Sequence, residues 1–345
     1  MISNIRTYSL EQLQDILAEL NQPKFRAKQL HEWLHGKHAL SYDEMLNIPK
    51  TLRSALSEHY PLFQPAVTDR QISKDGTRKY ILQLHDGQQV ETVGIPSDDG
   101  RLTVCFSTQV GCSMGCTFCA TAKEGFTRNL LAEEIIDQLI VVQNDFQQRI
   151  SNAVGMGQGE PFLNYDEVLL ALRLMNDPDG FNIGARHITV STCGIIPSID
   201  RFSREPEQFT LAVSLHSAIQ SKRDELMPHV KNQTLHQLKA ALASYIQRTN
   251  RRVTFEHLLI QGVNDGSQDL KALVSFCSDL LCHVNLIMLN NIEQSPLKPS
   301  DSETAKRWME TLNQHHIEAT VRRSRGADIA GACGQLKNIA SRNRH

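Results

Sequence analysis

No apolar run in this sequence approaches the roughly 20 residues that a membrane-spanning helix requires. The polar start, MISNIRTYSLEQLQDILAEL, lacks the apolar core of a signal peptide and reads as a short lead into a helix. A cytoplasmic protein without membrane contact is therefore expected. Charge of either sign is also missing in excess: 36 basic against 38 acidic side chains leave a net charge of −2. That excludes a case for nucleic-acid binding built on overall electrostatics. Internal repeats and low-complexity segments are absent as well. What is present is ordinary for a globular enzyme: 345 residues, 40% apolar and 21% charged, enough for one large domain with a small appendage. Eight cysteines in such a chain point to free thiols, metal or redox chemistry ahead of a disulfide framework.

Three segments follow one another. Residues 1–62 are helical in pattern, with Ser9 as a helix cap and Gln12 at the capping-box position, followed by KFRAKQLHEWLHG and SYDEMLNIPKTLRSALSEHY. Residues 63–101 alternate around KDGT and HDGQ, which predicts a β-hairpin extension. From 102 to 345 the pattern is strand, loop, helix, repeated: strands near 102–107, 152–156, 187–191, 209–214, 252–260 and 283–289, helices near 131–147, 165–176, 196–203, 234–248, 267–281 and 301–315, and a last strand at 317–323. Six βα units of this kind imply an α/β fold with a parallel sheet, closing partly as a barrel short of eight units. Its chemistry belongs at the C-terminal ends of the strands.

Polar residues and glycines recur at those ends. The first strand runs into VCFSTQVGCSMGCTFCATAKEGFTRN, which holds Cys105 and then Cys112, Cys116 and Cys119 in a C-x3-C-x2-C rhythm. The second leads into GMGQGEPFLN with Gly159 and Glu160, the third into VSTCG with Ser191, the fourth into VSLHSA with Ser214 and His216, the sixth into LNN with Asn290. Near the end, RGADIAGACGQL sets Cys333 between glycines, beside Arg322, Arg323 and Arg325. Three thiolates are one short of a closed zinc site or an ordinary iron–sulfur cluster. A 4Fe–4S cluster on three thiolates leaves one iron open, and a neighbouring glycine-rich turn with a carboxylate could receive an ammonium group. A zinc site completed by a distant Cys or His is the alternative. Cys193, Cys277 and Cys282 have no ligand spacing and read as packing.

CSMGCTFCAT, with GQGEP, VSTCG and VSLHSA in strand order, resembles the radical S-adenosylmethionine superfamily, and more closely its RlmN/Cfr family of RNA adenosine methyltransferases. The likeness spans nearly the whole chain, through FRAKQLHEWL, VETVGIP, STQVGC, GFTRNL, LMP, GVND, HVNLI and RGADIAGACGQL. It implies a partial (βα)6 barrel behind a small helical module that contacts RNA. It further implies one 4Fe–4S cluster on Cys112, Cys116 and Cys119, whose open iron takes S-adenosylmethionine. Gly159 and Glu160 would receive the cofactor's amino group. Ser191, Ser214, Leu215, His216 and Asn290 match positions lining the rest of its pocket.

The same resemblance assigns Cys333 and Cys105 to covalent work. Cys333 is methylated by one S-adenosylmethionine, and a second, cleaved at the cluster, activates that methyl group for addition to adenine. Glu91, in VETVGIP, matches the base that removes the ring proton. Cys105 then attacks the sulfur of Cys333, releasing methylated RNA and leaving a transient disulfide, so an electron donor and a thiol reductant are needed. The implied substrate is an adenosine of ribosomal or transfer RNA, acted on by a monomer. GFTRNL leans towards carbon 2 of the ring and STCGIIPSI towards carbon 8; the balance favours carbon 2. One departure stands out: Gln158 occupies the methionine slot of the usual G-M-G-E-P and is expected to face the cofactor pocket, where it could mark another substrate. Arg248, Arg251, Arg252 and the 322–325 cluster are expected phosphate contacts. A radical enzyme with a non-RNA substrate, or a cluster-bearing sensor, would need neither this basic surface nor both outlying cysteines.

Overall fold

The structure, a computed structural model, describes residues 5–290 and 295–336. The basic stretch at 341–345 and Asn291 of LNN lie outside the described residues. At the start, helices α1 (Leu10–Glu19), α2 (Phe25–His31) and α3 (Lys50–His59) pack around their own apolar core, from Ile5 through Leu13, Leu30 and Leu34 to Leu56. Ser9 caps α1: its hydroxyl accepts from the Gln12 backbone N–H, and the Gln12 side chain accepts from the Ser9 N–H in return. Within the helical pattern across 41–60, α3 begins only after Pro49, which cannot continue a helix and instead opens this one. A buried ion pair joins the module to the rest, Arg6 Nε lying 3.1 Å from Asp137, and His38 stacks on Phe181 with ring centroids 4.0 Å apart.

Strands β1 (Ala66–Ile72), β2 (Arg78–Gln83) and β3 (Gln89–Pro96) form an antiparallel meander turning at Gly76 and Gly87, both with positive φ. This is more than a hairpin appended to a barrel. β3 pairs antiparallel with β4 (Leu102–Cys105), Val93 opposite Cys105, so the extension and the main sheet are continuous. From β4 the strands β7 (Asn152–Gly155), β8 (Ile188–Thr192), β9 (Thr210–Ser214), β10 (Val253–Leu259), β11 (Cys282–Met288) and β12 (Glu318–Arg322) run parallel, each beside its predecessor. A small separate hairpin, β5 (Gln109–Gly111) and β6 (Phe126–Asn129), brackets the cysteine loop.

Helices α4 (Ala132–Phe146), α5 (Tyr165–Asn176), α6 (Ile196–Phe202), α8 (Leu235–Thr249), α9 (Ser267–Cys277) and α10 (Ser302–Gln314) make the crossovers, with a short α7 (Gln220–Leu226) before α8. Periodicity placed the six long crossovers; α7 and the β5–β6 hairpin are too short to show a period. Interior strand residues such as Val104, Val190, Leu211, Val213, Phe255 and Val284 are fully buried beneath these helices, as expected for a parallel sheet covered by crossovers.

The ten-stranded sheet ends in β1 at one edge and β12 at the other and does not close on itself. The chain after β12 bridges the opening. Ser73 Oγ donates to Asp328 Oδ1 at 2.6 Å, the Gly326 N–H donates to Asp75 Oδ2 at 3.0 Å, and the Ala120 N–H donates to the Gly334 carbonyl at 2.8 Å. That crossing carries Cys333 over the strand ends. No helix among the described residues is long and apolar enough to span a membrane.

Candidate active site

The cysteine loop leaves the sheet through a tight closure. The Cys112 N–H donates to the Gly125 carbonyl at 2.8 Å, and Gly111, at φ +76, stands so close that a Cβ there would lie 2.0 Å from the Gly125 oxygen. Only glycine fits. Cys112, Cys116 and Cys119 are thereby turned into a cavity of about 150 Å³ at the C-terminal ends of the parallel strands. Among the described residues no three His, Cys, Asp or Glu side chains converge on a point where a single ion would sit. The zinc alternative therefore has no ready centre. Cluster thiolates bind separate irons and need no such convergence. Burial pushes the Cys112 thiol up to about 12, with Cys119 and Cys116 adding to the rise; any metal that binds must displace protons.

Across the cavity, the glycine-rich turn after β7 is fixed by sterics. Gly159 has φ +106, and a Cβ there would meet Gln109 at 2.7 Å. Glu160 follows, almost completely buried, its N–H donating to Gln109 Oε1 at 2.9 Å. Its carboxylate accepts from the Phe162 N–H at 3.0 Å and from the Cys193 N–H at 2.6 Å. Burial raises its pKa against those hydrogen bonds. A cation delivered into the cavity would find a preoriented acceptor.

Ser191, Ser214 and His216 line the same space. His216 takes a positive φ of 53°, its Nδ1 accepts from the Leu258 N–H at 3.1 Å, and its ring meets Phe118 edge-on at 4.6 Å. Burial lowers its pKa to about 3. Leu215 does not line the cavity; it is fully buried behind it, its N–H donating to the Glu256 carbonyl at 3.0 Å. Strand alternation turns it inward between Ser214 and His216. Asn290 also stands outside the lining and acts at one remove: its Nδ2 donates to the Cys333 carbonyl at 3.2 Å.

Cys333, exposed, lines this cavity and also a second one of about 200 Å³. Cys105 lines the second, with Ile95, Met156, Arg322, Arg323 and Arg325. Burial and the nearby Cys333 push the Cys105 thiol up to about 12, and Arg322 opposes the rise. All eight cysteines are free thiols. Glu91 borders neither cavity. It is buried on the face of β3 that carries Val93 and Ile95, and its Oε1 lies 3.1 Å from Lys79 Nζ.

The expectations for Gln158, Cys193 and the arginines before β10 need correction. Gln158 does not face the cofactor cavity; its Oε1 accepts from the Glu91 backbone N–H at 3.1 Å, on the side of the turn that meets β3. Cys193 packs against the apolar cluster around Met114 and Leu258 as expected, but it also lines the cavity with the three motif cysteines. Arg251 and Arg252 precede β10 and are spent at the opposite end of the strands, Arg251 on the Phe209 carbonyl and Arg252 on Glu318. Arg248, nearby, lies 3.6 Å from Asp200. Sequence reasoning also missed Glu256, buried in the cavity wall with Asn285 Nδ2 donating to it at 2.9 Å and Arg322 at 3.7 Å. A carboxylate inside the apolar strand VTFEHLL was the available signal.

The suitability of this cavity for an anionic cluster has a separate indication. Arg223 is fully buried beside Cys193 and Cys116, and neither its Nε nor its Nη1 has a hydrogen-bond partner among the described residues. A buried cation so placed calls for negative charge.

Comparison with known proteins agrees. Residues 106–277 match the Radical SAM superfamily, and residues 3–61 match the ribosomal RNA large subunit methyltransferase N-terminal domain. A probable dual-specificity RNA methyltransferase RlmN from Clostridium novyi (strain NT) is 42% identical over 99% of this chain and 100% of its own length. The chain belongs to the RlmN family of radical SAM RNA methyltransferases. A second RlmN relative, from Symbiobacterium thermophilum, is 44% identical over 97% of this chain and 91% of its own. The crystal structure of a radical SAM methyltransferase from Sphaerobacter thermophilus superposes with a TM-score of 0.93 at 42% identity, covering 96% of this chain and 98% of that one. As an RlmN-family enzyme the chain acts on RNA and uses a 4Fe–4S cluster with S-adenosylmethionine.

Proposed function

We propose that this chain methylates carbon 2 of an adenosine in ribosomal RNA, transfer RNA or both, through a methylated Cys333. The observation that carries the reading is the position of Cys333, which borders both the cysteine-lined cavity and the cavity holding Cys105. Only a residue open to both could accept a group on one side and be resolved by a second thiol on the other. The RlmN name of the relatives supports carbon 2, and their dual specificity supports two RNA classes.

When bound, the cluster and two molecules of S-adenosylmethionine per turnover supply a methyl group and the means to abstract hydrogen. The protein supplies position. Cys112, Cys116 and Cys119 hold the cluster; Gly159 and Glu160 receive the cofactor's amino group; Ser191, Ser214 and His216 line the remainder, with Leu215 backing the wall. Asn290 anchors the Cys333 backbone. Cys333 carries the methyl carbon to the ring. Glu91, whose carboxylate has Lys79 as its charge partner, is the base that takes the ring proton. The Cys105 thiolate attacks the Cys333 sulfur, the carbon–sulfur bond to the RNA breaks, and a disulfide remains for a thiol reductant to open. An electron donor must serve the cluster. The helical module of residues 1–62, with a core of its own, is the RNA-contacting unit, 63–101 extends the sheet, and 102–345 is the catalytic domain. A cytoplasmic monomer fits an RNA substrate and thiols kept reduced.

The test is anaerobic reconstitution with iron, sulfide, S-adenosylmethionine and reductant on ribosomal and transfer RNA, followed by nucleoside mass spectrometry. The expected product is 2-methyladenosine. 8-Methyladenosine would move the ring position, and 5′-deoxyadenosine without a methylated nucleoside would overturn the substrate. Cys333→Ala should abolish methylation while leaving the cluster's absorption in place.

A further inference from the structure

Besides the three motif cysteines and Cys333, the cavity is lined by one further thiol. Cys193, in the loop after β8, lines it together with Cys112, Cys116 and Cys119. Both backbone polar groups of Cys193 are tied down. Its N–H donates to Glu160 Oε2 at 2.6 Å, and its carbonyl accepts from Arg223 Nη2 at 2.7 Å. Its thiol lies beside that of Cys116, which influences it more strongly than any other group. These bonds fix the Cys193 backbone at the cavity wall, where the residue also packs against the cluster of Met114, Cys116 and Leu258. Independently, Arg223 is fully buried next to Cys193 and Cys116 with Nε and Nη1 lacking partners among the described residues. Burying a guanidinium is unfavourable unless an anion answers it. Arg223 faces Cys116 and Cys193 together, and its Nη2 reaches the Cys193 carbonyl, so the positive charge serves the Cys193 side of the cavity as well as the motif side.

We propose that Cys193 is a displaceable fourth thiolate ligand of the cluster: it occupies the iron that Cys112, Cys116 and Cys119 leave open while S-adenosylmethionine is absent, and yields it when the cofactor arrives, with Arg223 as the charge that stabilises the thiolate. The proposal rests on reading the cavity as a three-cysteine cluster site. The exchange balances without electron transfer. The Cys193 thiol loses its proton to solvent as its sulfur binds iron. When the cofactor's amino and carboxylate groups take that iron, the iron–sulfur bond breaks and the thiolate recovers a proton. Glu160 couples the two states, since the carboxylate proposed to receive the cofactor's amino group also holds the Cys193 N–H. A capped iron resists extraction, so the resting enzyme keeps a complete cluster between turnovers.

The experiment uses the anaerobically reconstituted full-length enzyme and its Cys193→Ala and Cys193→Ser variants, each checked for the charge-transfer absorption of a 4Fe–4S cluster. Samples are oxidised with ferricyanide, with and without S-adenosylmethionine, and the three-iron cluster is quantified by electron paramagnetic resonance. Without cofactor, both variants should give several-fold more three-iron cluster than the wild type, and with saturating cofactor all three should agree. Arg223→Met should move the cofactor-free wild-type value towards that of Cys193→Ala. Equal yields in the absence of cofactor would overturn the proposal while leaving the cluster reading intact. A wild-type protein that assembles no cluster would overturn both. Cys193→Ser nearly preserves side-chain size, so a packing defect confined to the alanine variant cannot pass for lost ligation.

Discussion

The two ends of one set of parallel strands carry the same residue types and treat them differently. At the N-terminal ends, arginines meet partners at once: Arg252 pairs with Glu318, Arg251 caps the Phe209 carbonyl, and Arg248 approaches Asp200. The cysteines there, Cys277 and Cys282, are core residues. At the C-terminal ends, Arg323 and Arg325 have no ion pair among the described residues and border a cavity. Arg223 is buried with two nitrogens unanswered, and five cysteines, Cys105, Cys112, Cys116, Cys119 and Cys193, stand in or beside open space with Cys333. One end is electrostatically saturated and the other is kept waiting. A protein tolerates such unpaired groups where a ligand will complete them.

The sharpest break of this contrast uses cysteines. Cys105→Ala should stop multiple turnover and accumulate a covalent protein–RNA adduct, visible as a mass shift on gels run after turnover. Cys277→Ala, at the saturated end, should cost about 1 kcal/mol of stability, as small core truncations do, and leave turnover unchanged. Absence of the adduct would count against Cys105 as the resolving thiol. Next in size, Glu160→Gln removes the only full charge offered to the cofactor by the glycine-rich turn. S-adenosylmethionine binding to the reconstituted enzyme, read by equilibrium dialysis, should weaken on the order of 100-fold, or about 3 kcal/mol for a buried charge left without its partner.

The arginines give a smaller, comparative effect. Replacing Arg323 and Arg325 by alanine should flatten the logarithmic salt dependence of RNA binding by about 0.7–0.9 for each phosphate left without its arginine. The pair Arg248→Ala and Arg252→Ala should leave the slope where it was. Equal slopes in both doubles would return the 322–325 cluster to ordinary surface.

Last comes an effect absent at neutral pH. Burial lowers His216 and His257 to about 3, His35 to about 3 and His38 to about 4, from 6.5. Their folded pKa values lie below the unfolded one, so the unfolded chain binds more protons in that window. Their stabilising contribution is complete above pH 6.5 and is lost as pH falls towards 4, at up to about 1.4 kcal/mol per unit for each histidine. Asp137, raised by burial to about 7 against the pull of Arg6, works in the opposite direction at the junction with the helical module. Denaturant midpoints between pH 7 and 4 should therefore fall steeply for the barrel. Asp137→Asn should steepen acid loss for the module by removing the group that opposes it. A flat barrel profile would show these histidines to be protonated without penalty.

Much of the molecule was legible before folding. The apolar period switches between 2 and 3.6 are local, so the strands and long crossovers from 102 to 323 emerged close to their final bounds. The C-x3-C-x2-C loop, the Gly159–Glu160 turn and Cys333 between glycines were legible for a similar reason: chemistry that requires particular atoms at short spacing writes itself into a short stretch. What failed was anything that depended on direction. Gln158 stands one residue from Gly159 and is expected in the cofactor cavity, but the turn aims its side chain at β3, where it serves the Glu91 strand instead. Cys193 has no motif spacing and reads from the sequence as packing, although β8 also delivers it to the cavity of the motif cysteines.

By itself, then, the sequence determined the parallel α/β plan, the helical module at its start and the identity of the residues that can do chemistry, because local periodicity and residue type are properties of short segments. Only the tertiary structure decided which of them work together. RTNRR and RRSR are alike as strings, yet one precedes a strand and the other follows one. In a parallel sheet that difference sends them to opposite ends of the molecule, one to be neutralised and one to face a cavity.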